Sequence, residues 1–221
     1  MGIYNKDSRL SSIFMAHPTL IPVAYRLGVN LGVGDVSVAE ICSTHGLDCN
    51  FFLLVINTFI DEEYFPSRPF DSFSLEKTID YLEKTSEYYR KVQLPNIERH
   101  FRFLLDISGK ENNLDLLSKF FTDMKDQFTE TLTYEMDHLF PLLRKGKTPP
   151  HDYDILNGHN EIEERLHDLL TFLVMHLHGN YDSNLCMAVV LSVFNLRKDV
   201  NQNNRIRSRI LMPQVEALNI K

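Results

Sequence analysis

The sequence predicts an all-α protein, an antiparallel four-helix bundle preceded by a small helical module, and three observations carry that prediction. Apolar residues recur at helical spacing through four long segments of the C-terminal two-thirds. Short connections containing Gly, Pro or polar residues separate those segments, which favours antiparallel neighbours. In the first sixty residues, a helix, a tight Gly turn and a second capped helix follow one another.

The module comes first, over residues 1–62. Ile13, Leu20, Val23 and Leu27 mark a first helix or two, broken by Pro18 and Pro22. Gly28, Gly32 and Gly34 make a flexible turn, after which Asp35 or Ser37 caps the next helix. Val38 to Thr44 then reads as helix, His45-Gly46-Leu47 as a tight turn, and Asp48 as the cap of a helix running to Phe59. A DNA reader of this type needs donors on its second helix. That helix carries no Lys or Arg, and the module as a whole has a surplus of acid, so a packing motif is the better reading. An apolar second helix, Phe51 to Phe59, suits docking onto a protein partner or a second copy of the chain.

Residues 63–74 hold two prolines and read as an extended linker, leaving 75–221 for the bundle. Its first helix is expected from about 75 to 106, with Pro95 kinking it or ending its regular part. The second runs from about 114 to 145, with Pro141 near its end and Gly146 as its stop. A third begins at Asp152 or Asp154 and ends before Gly179; the fourth covers about 183–218, with a break expected between Lys198 and Asn204.

Bulk properties narrow the function. A net charge of −7 argues against a general nucleic-acid or anionic-membrane surface, which needs clustered cations. Three cysteines without CxxC spacing give neither a disulfide framework nor a zinc-cysteine site, and Cys42 sits where a helix-turn-helix wants a small residue. The N-terminus lacks the apolar core of a signal peptide, and the run Leu185 to Phe194 is too short to span a bilayer, so a cytoplasmic protein is expected. No Ser-His-Asp, phosphate-loop or dinucleotide fingerprint is present, which leaves hydrolase and kinase readings without support.

What stands out is polar chemistry on core-facing lines. Glu135 interrupts the stripe of Phe128, Leu132, Leu139, Leu142 and Leu143. A buried carboxylate needs a metal, a guanidinium or hydrogen-bond donors, because leaving it unpaired costs several kcal/mol. His159 falls on the stripe of Ile155, Ile162, Leu166, Leu169 and Leu173; a lone histidine there is more often a satisfied core residue than a ligand. Asn203 and Arg207 take apolar positions on the fourth helix, and Glu87 is a candidate from the first, its facing made ambiguous by Tyr88 and Tyr89. With Thr131 they form the candidate constellation. His138, His167, His176 and His178 read as surface or boundary residues.

Gln93-Leu94-Pro95, Glu135 with Leu139-Phe140-Pro141, Asn157-Gly158-His159-Asn160-Glu161 and Ile210-Leu211-Met212-Pro213 resemble motifs of the hemerythrin-like di-iron proteins of iron-sulfur cluster repair, over nearly the whole chain. In that family the second and fourth helices each carry a His-x-x-x-Glu pair and the first and third each add a histidine. The resemblance lays those positions on Thr131 with Glu135, Asn203 with Arg207, Glu87 and His159, of which only Glu135 and His159 keep the family's residue. The family's adjacent cysteine pair is replaced by Asn30-Leu31-Gly32-Val33-Gly34.

Two functions follow as expectations. One is a non-enzymatic relative acting through partner contacts or sensing, without a cofactor, in which Arg207 pairs with Glu135 or Glu87 and replaces the metal's charge. The alternative is a protein holding iron or zinc on Glu87, Glu135 and His159 and working in nitric oxide or oxygen stress or in cluster repair.

Overall fold

A computed structural model describes residues 4–64, 74–108, 113–150 and 153–218. Every named element among the described residues is a helix, and Arg9 and Ser37 form an isolated β-bridge. Four short helices come first: α1 (Leu10–Ala16), α2 (Ile21–Arg26), α3 (Val38–His45) and α4 (Cys49–Ile60). Four long ones follow: α5 (75–107), α6 (114–144), α7 (157–176) and α8 (183–218). No helix among the described residues is long and apolar enough to cross a membrane.

The chain divides into two compact units, residues 1–85 with 205–221, and residues 86–204. The division falls inside α5 and α8, whereas the sequence suggested a boundary at 63–74; most of that segment lies outside the described residues.

In the first unit the turn chemistry is local and complete. Ser37, not Asp35, caps α3: its hydroxyl accepts from the Glu40 N–H while Glu40 reaches back to the Ser37 N–H, a full capping box. Gly46 closes α3 in the left-handed conformation (φ 64°), where a side chain would be strained, and donates to the carbonyl of Cys42. Asp48 then caps α4, accepting from the N–H groups of Asn50 and Phe51 and from the Lys77 ammonium. Lys77 holds the Asp48 carboxyl below its ordinary range, against the opposing effect of burial. A carboxylate depressed in the folded state stabilises above its unfolded value and loses that contribution as pH falls. Asp48→Ala is therefore expected to cost about 1–2 kcal/mol at neutral pH. In denaturant titrations the gap to the parent should close at acid pH, below about pH 4.

Cys42 is buried in this unit, and burial, followed by the neighbouring Cys49 thiol, pushes its own thiol up to about 12. A thiol so hard to ionise is a packing residue. Most of α4 is buried as well, including Phe51, Phe52, Val55, Ile56 and Phe59, so the helix expected to supply a docking face is largely covered within one chain. Arg26, almost fully buried, lies against the rings of Phe59 (5.9 Å) and Tyr81 (5.7 Å) and donates to the Tyr81 hydroxyl (3.3 Å), as a desolvated guanidinium does on aromatic faces.

The end of α8 joins this unit through two arginines one helical turn apart. Arg205 donates to the carbonyl of Thr58 (3.3 Å), and Arg209 to those of Glu62 (2.7 Å) and Tyr64 (2.9 Å). Cations meet the carbonyl-rich end of α4, where the helix dipole is negative.

The second unit has one apolar core to which all four long helices contribute. Leu94, Ile97, Phe101 and Leu104 come from α5; Leu117, Phe121, Met124, Phe128 and Leu132 from α6; Ile162, Leu166 and Leu169 from α7; Val189, Val193, Leu196 and Val200 from α8. Each set keeps steps of three and four, the spacing that holds one helix face inward. Gly146 ends α6 as its position suggested, with φ 67° and its N–H on the carbonyl of Leu143. The expected break between Lys198 and Asn204 is absent, and α8 is regular there.

Candidate functional site: a buried polar layer at the end of the second core

Following the core stripes one step further reaches the polar residues. Leu132 leads to Glu135 on α6, Ile162 back to His159 on α7, and Val200 on to Asn203 on α8. Glu135 and His159 are each 1% exposed, and Asn203 is fully buried. They are inside because the periodicity puts them there, so the surroundings must satisfy them.

Glu135 and His159 satisfy each other. The His159 Nε2–H donates to Glu135 Oε1 at 2.8 Å, inside a shell with no solvent contact. One edge of the imidazole meets the Phe128 ring in a T-shaped contact at 6.1 Å, and Phe128 in turn packs against Tyr89 at 5.4 Å. The Tyr89 hydroxyl accepts from Asn203 Nδ2 at 2.8 Å, and the same amide also donates to the carbonyl of Asp199. A continuous line of contacts thus runs from α6 through α7 and α5 to α8. Asn203 Oδ1, by contrast, is buried with no hydrogen-bond partner among the described residues.

The α7–α8 seam carries a second network. Glu163, half-buried, accepts from Asn201 Nδ2 (2.7 Å) and Asn204 Nδ2 (3.2 Å), and Asn204 also approaches the His159 carbonyl at 3.5 Å. It follows from the amide-rich run Asn201-Gln202-Asn203-Asn204, which places carboxamides on a face where apolar side chains would otherwise sit.

The remaining candidates are placed differently. Glu87, a candidate whose facing the sequence leaves ambiguous, is exposed and ion-paired with Lys91 one turn on at 3.0 Å. The inward line of α5 runs through Leu82, Thr85, Ser86 and Tyr89, so Tyr89 takes the place proposed for Glu87 and brings a hydroxyl in place of a carboxylate. Thr131 is half-buried, with its hydroxyl turned back to the Gln127 carbonyl at 3.1 Å. Its side chain explains Gly158: a Cβ there would stand 3.0 Å from both Thr131 Oγ1 and Cγ2, so the two helices meet at a position that excludes a larger residue. Arg207 belongs to the first unit and is fully buried. His138, His167, His176 and His178 are exposed.

A backbone feature marks three of these positions. Helices α5, α6 and α8 each contain one widened π-turn, Tyr89–Gln93, Glu135–Leu139 and Arg207–Leu211. In each, the first residue's carbonyl accepts from an N–H five residues on, that of Leu94, Phe140 or Met212. A proline follows directly in every case, Pro95, Pro141 or Pro213. The proline ring would collide with the carbonyl four residues back; widening the preceding turn relieves the collision and lets the helix continue. The kink or end expected at Pro95 is therefore a π-turn, and each of the three π-turns opens on a deeply buried side chain: Tyr89, Glu135 and Arg207.

A hemerythrin-like di-iron centre would require about five to seven protein ligands, carboxylates and imidazoles from facing helices. Among the described residues no group of three or more His, Cys, Asp and Glu stands close enough to hold a metal ion. Glu135 and His159 are the donors that remain, and they are spent on one another. The residues present do not fit a di-iron centre. Compared with protein-family models, with curated proteins and with solved structures, the chain matches none.

Proposed function

We propose that the chain is a non-enzymatic, hemerythrin-like four-helix bundle with a small helical module in front of it, related to the iron-sulfur cluster repair proteins and acting through partner contacts or sensing. The observation that carries this reading is the closed Glu135–His159 pair, in which the two surviving ligand-type side chains hydrogen-bond each other at 2.8 Å. In this proposal the buried guanidinium of Arg207 supplies inside the protein the positive charge that iron would have brought. Elemental analysis of the protein as isolated, and again after loading with ferrous iron or zinc, tests it. The expected result is metal well below one equivalent; tight stoichiometric binding would sink the proposal.

A second reading keeps one iron or zinc on Glu135 and His159, with the Asn203 amide oxygen as a further donor, in nitric oxide or oxygen stress or in cluster repair. It is favoured by the buried Asn203 Oδ1, which lacks a partner among the described residues and is a hard oxygen donor. The same loading experiment decides between the two, with visible absorbance after aerobic iron addition as the second readout.

A further inference from the structure

The second unit exposes apolar surface in one place where both chemistry and shape suggest an occupant. A groove of about 460 Å³ runs between α7 and α8, floored by Leu170 and Val190 and walled by Val174, Met175, Leu191 and Phe194. Val174 and Met175 are 72% and 71% exposed, Leu191 and Phe194 55% and 50%. On α8, Leu191 and Phe194 keep helical spacing and Met187 extends the line by one further turn, while on α7 Val174 stands one turn beyond Leu170. At roughly 100 Å² apiece, about half of what a large side chain buries, these five show about 500 Å² of apolar surface. That is near the largest patch a monomer usually exposes and is a large part of the roughly 800 Å² per partner of a stable interface.

Charge narrows the choice of occupant. The chain carries −7, so two copies repel over most of their surfaces. No Asp or Glu lines this groove; its charged end holds Arg197 and His167. Arg197 Nε is buried without a hydrogen-bond partner among the described residues. The opposite end of the groove is the last turn of α7, Phe172–His176, where the helix dipole is negative. A two-fold axis through the middle of the groove would set the Arg197 of each copy against the C-terminal turn of the other's α7, with the apolar walls interdigitating between them.

We infer that the α7–α8 groove is the seat of a second copy of this chain, in an isologous dimer. The inference rests on no assumption about Glu135, His159 or a metal. Sedimentation or light scattering of the full chain, taken over a wide concentration range, is the test. The expected result is a reversible dimer of the 25.8 kDa chain. Leu191→Glu and, separately, Val174→Glu should each raise its dissociation constant about 30-fold or more. Both positions are exposed enough for the fold to survive, which far-UV circular dichroism checks. Met15→Glu, on an exposed apolar residue of the first unit, should leave association unchanged. A monomer at every concentration overturns the inference, as does a dimer indifferent to both groove substitutions.

Discussion

His159→Leu is expected to destabilise the protein by about 3–5 kcal/mol, because it takes a hydrogen-bond donor away from the buried Glu135 carboxylate. The leucine adds apolar volume, so loss of packing is not the source. The substitution removes the donor facing Oε1 at 2.8 Å, at a depth where water does not replace it. Replacing both members, as Glu135→Met with His159→Leu, should recover most of the loss, since well-packed apolar residues commonly match or exceed a buried ionic pair. Chemical denaturation of the parent, the two single variants and the double variant measures this directly. Additive losses would show that the pair does not act as a unit.

Arg207→Leu is the second large effect, again about 3–5 kcal/mol, on the reading that a fully buried guanidinium is compensated by a buried acceptor which the substitution would orphan. The diagnostic control is Arg207→Lys. It keeps the charge but gives up the planar fork of donors, and should retain only part of the stability. If the proposed replacement of metal charge by Arg207 holds, Glu135→Gln in the Arg207→Leu background should be less harmful than in the parent. A coupling energy near zero in that cycle would separate Arg207 from Glu135 and remove it from the proposal.

Glu135 and His159 were legible in the sequence because each is a polar residue on a strictly periodic apolar stripe, and the steps Leu132 to Glu135 and Ile162 to His159 survive into the structure. Glu87 was misplaced for the opposite reason. Tyr89 lies on the inward line of α5 and Tyr88 beside it, and a tyrosine reads as either face until its hydroxyl finds a partner, here Asn203 Nδ2 for Tyr89. The amide grip on Glu163 was invisible because a half-buried carboxylate on a helix flank has the same sequence pattern as a solvated one. Arg26 was missed because its aromatic partners Phe59 and Tyr81 lie far along the chain. The attachment of the end of α8 to α4 was hidden for a related reason. Arg205 and Arg209 fasten the end of α8 to the carbonyls of Thr58, Glu62 and Tyr64, and no local pattern announces a pairing across some 145 residues. Helix extents, in contrast, follow from apolar period and Gly stops, both local, and are reproduced closely for α5, α6 and α8.

The three widened turns have a consequence for how this chain tolerates length changes. A π-turn is an α-helical turn with one residue too many, held open here because the proline behind it forbids the tighter closure. Ordinarily a one-residue deletion inside a long helix rotates everything downstream off its face, while surface loops absorb such changes. In α6, removing one residue between Glu135 and Leu139 together with Pro141→Ala, which lifts the bar to tighter closure, would instead return the backbone to regular helical phase, with Phe140 and Leu143 still on the inward side. The places where this fold can shed a residue at least cost to its helical register thus lie next to its most deeply buried side chains.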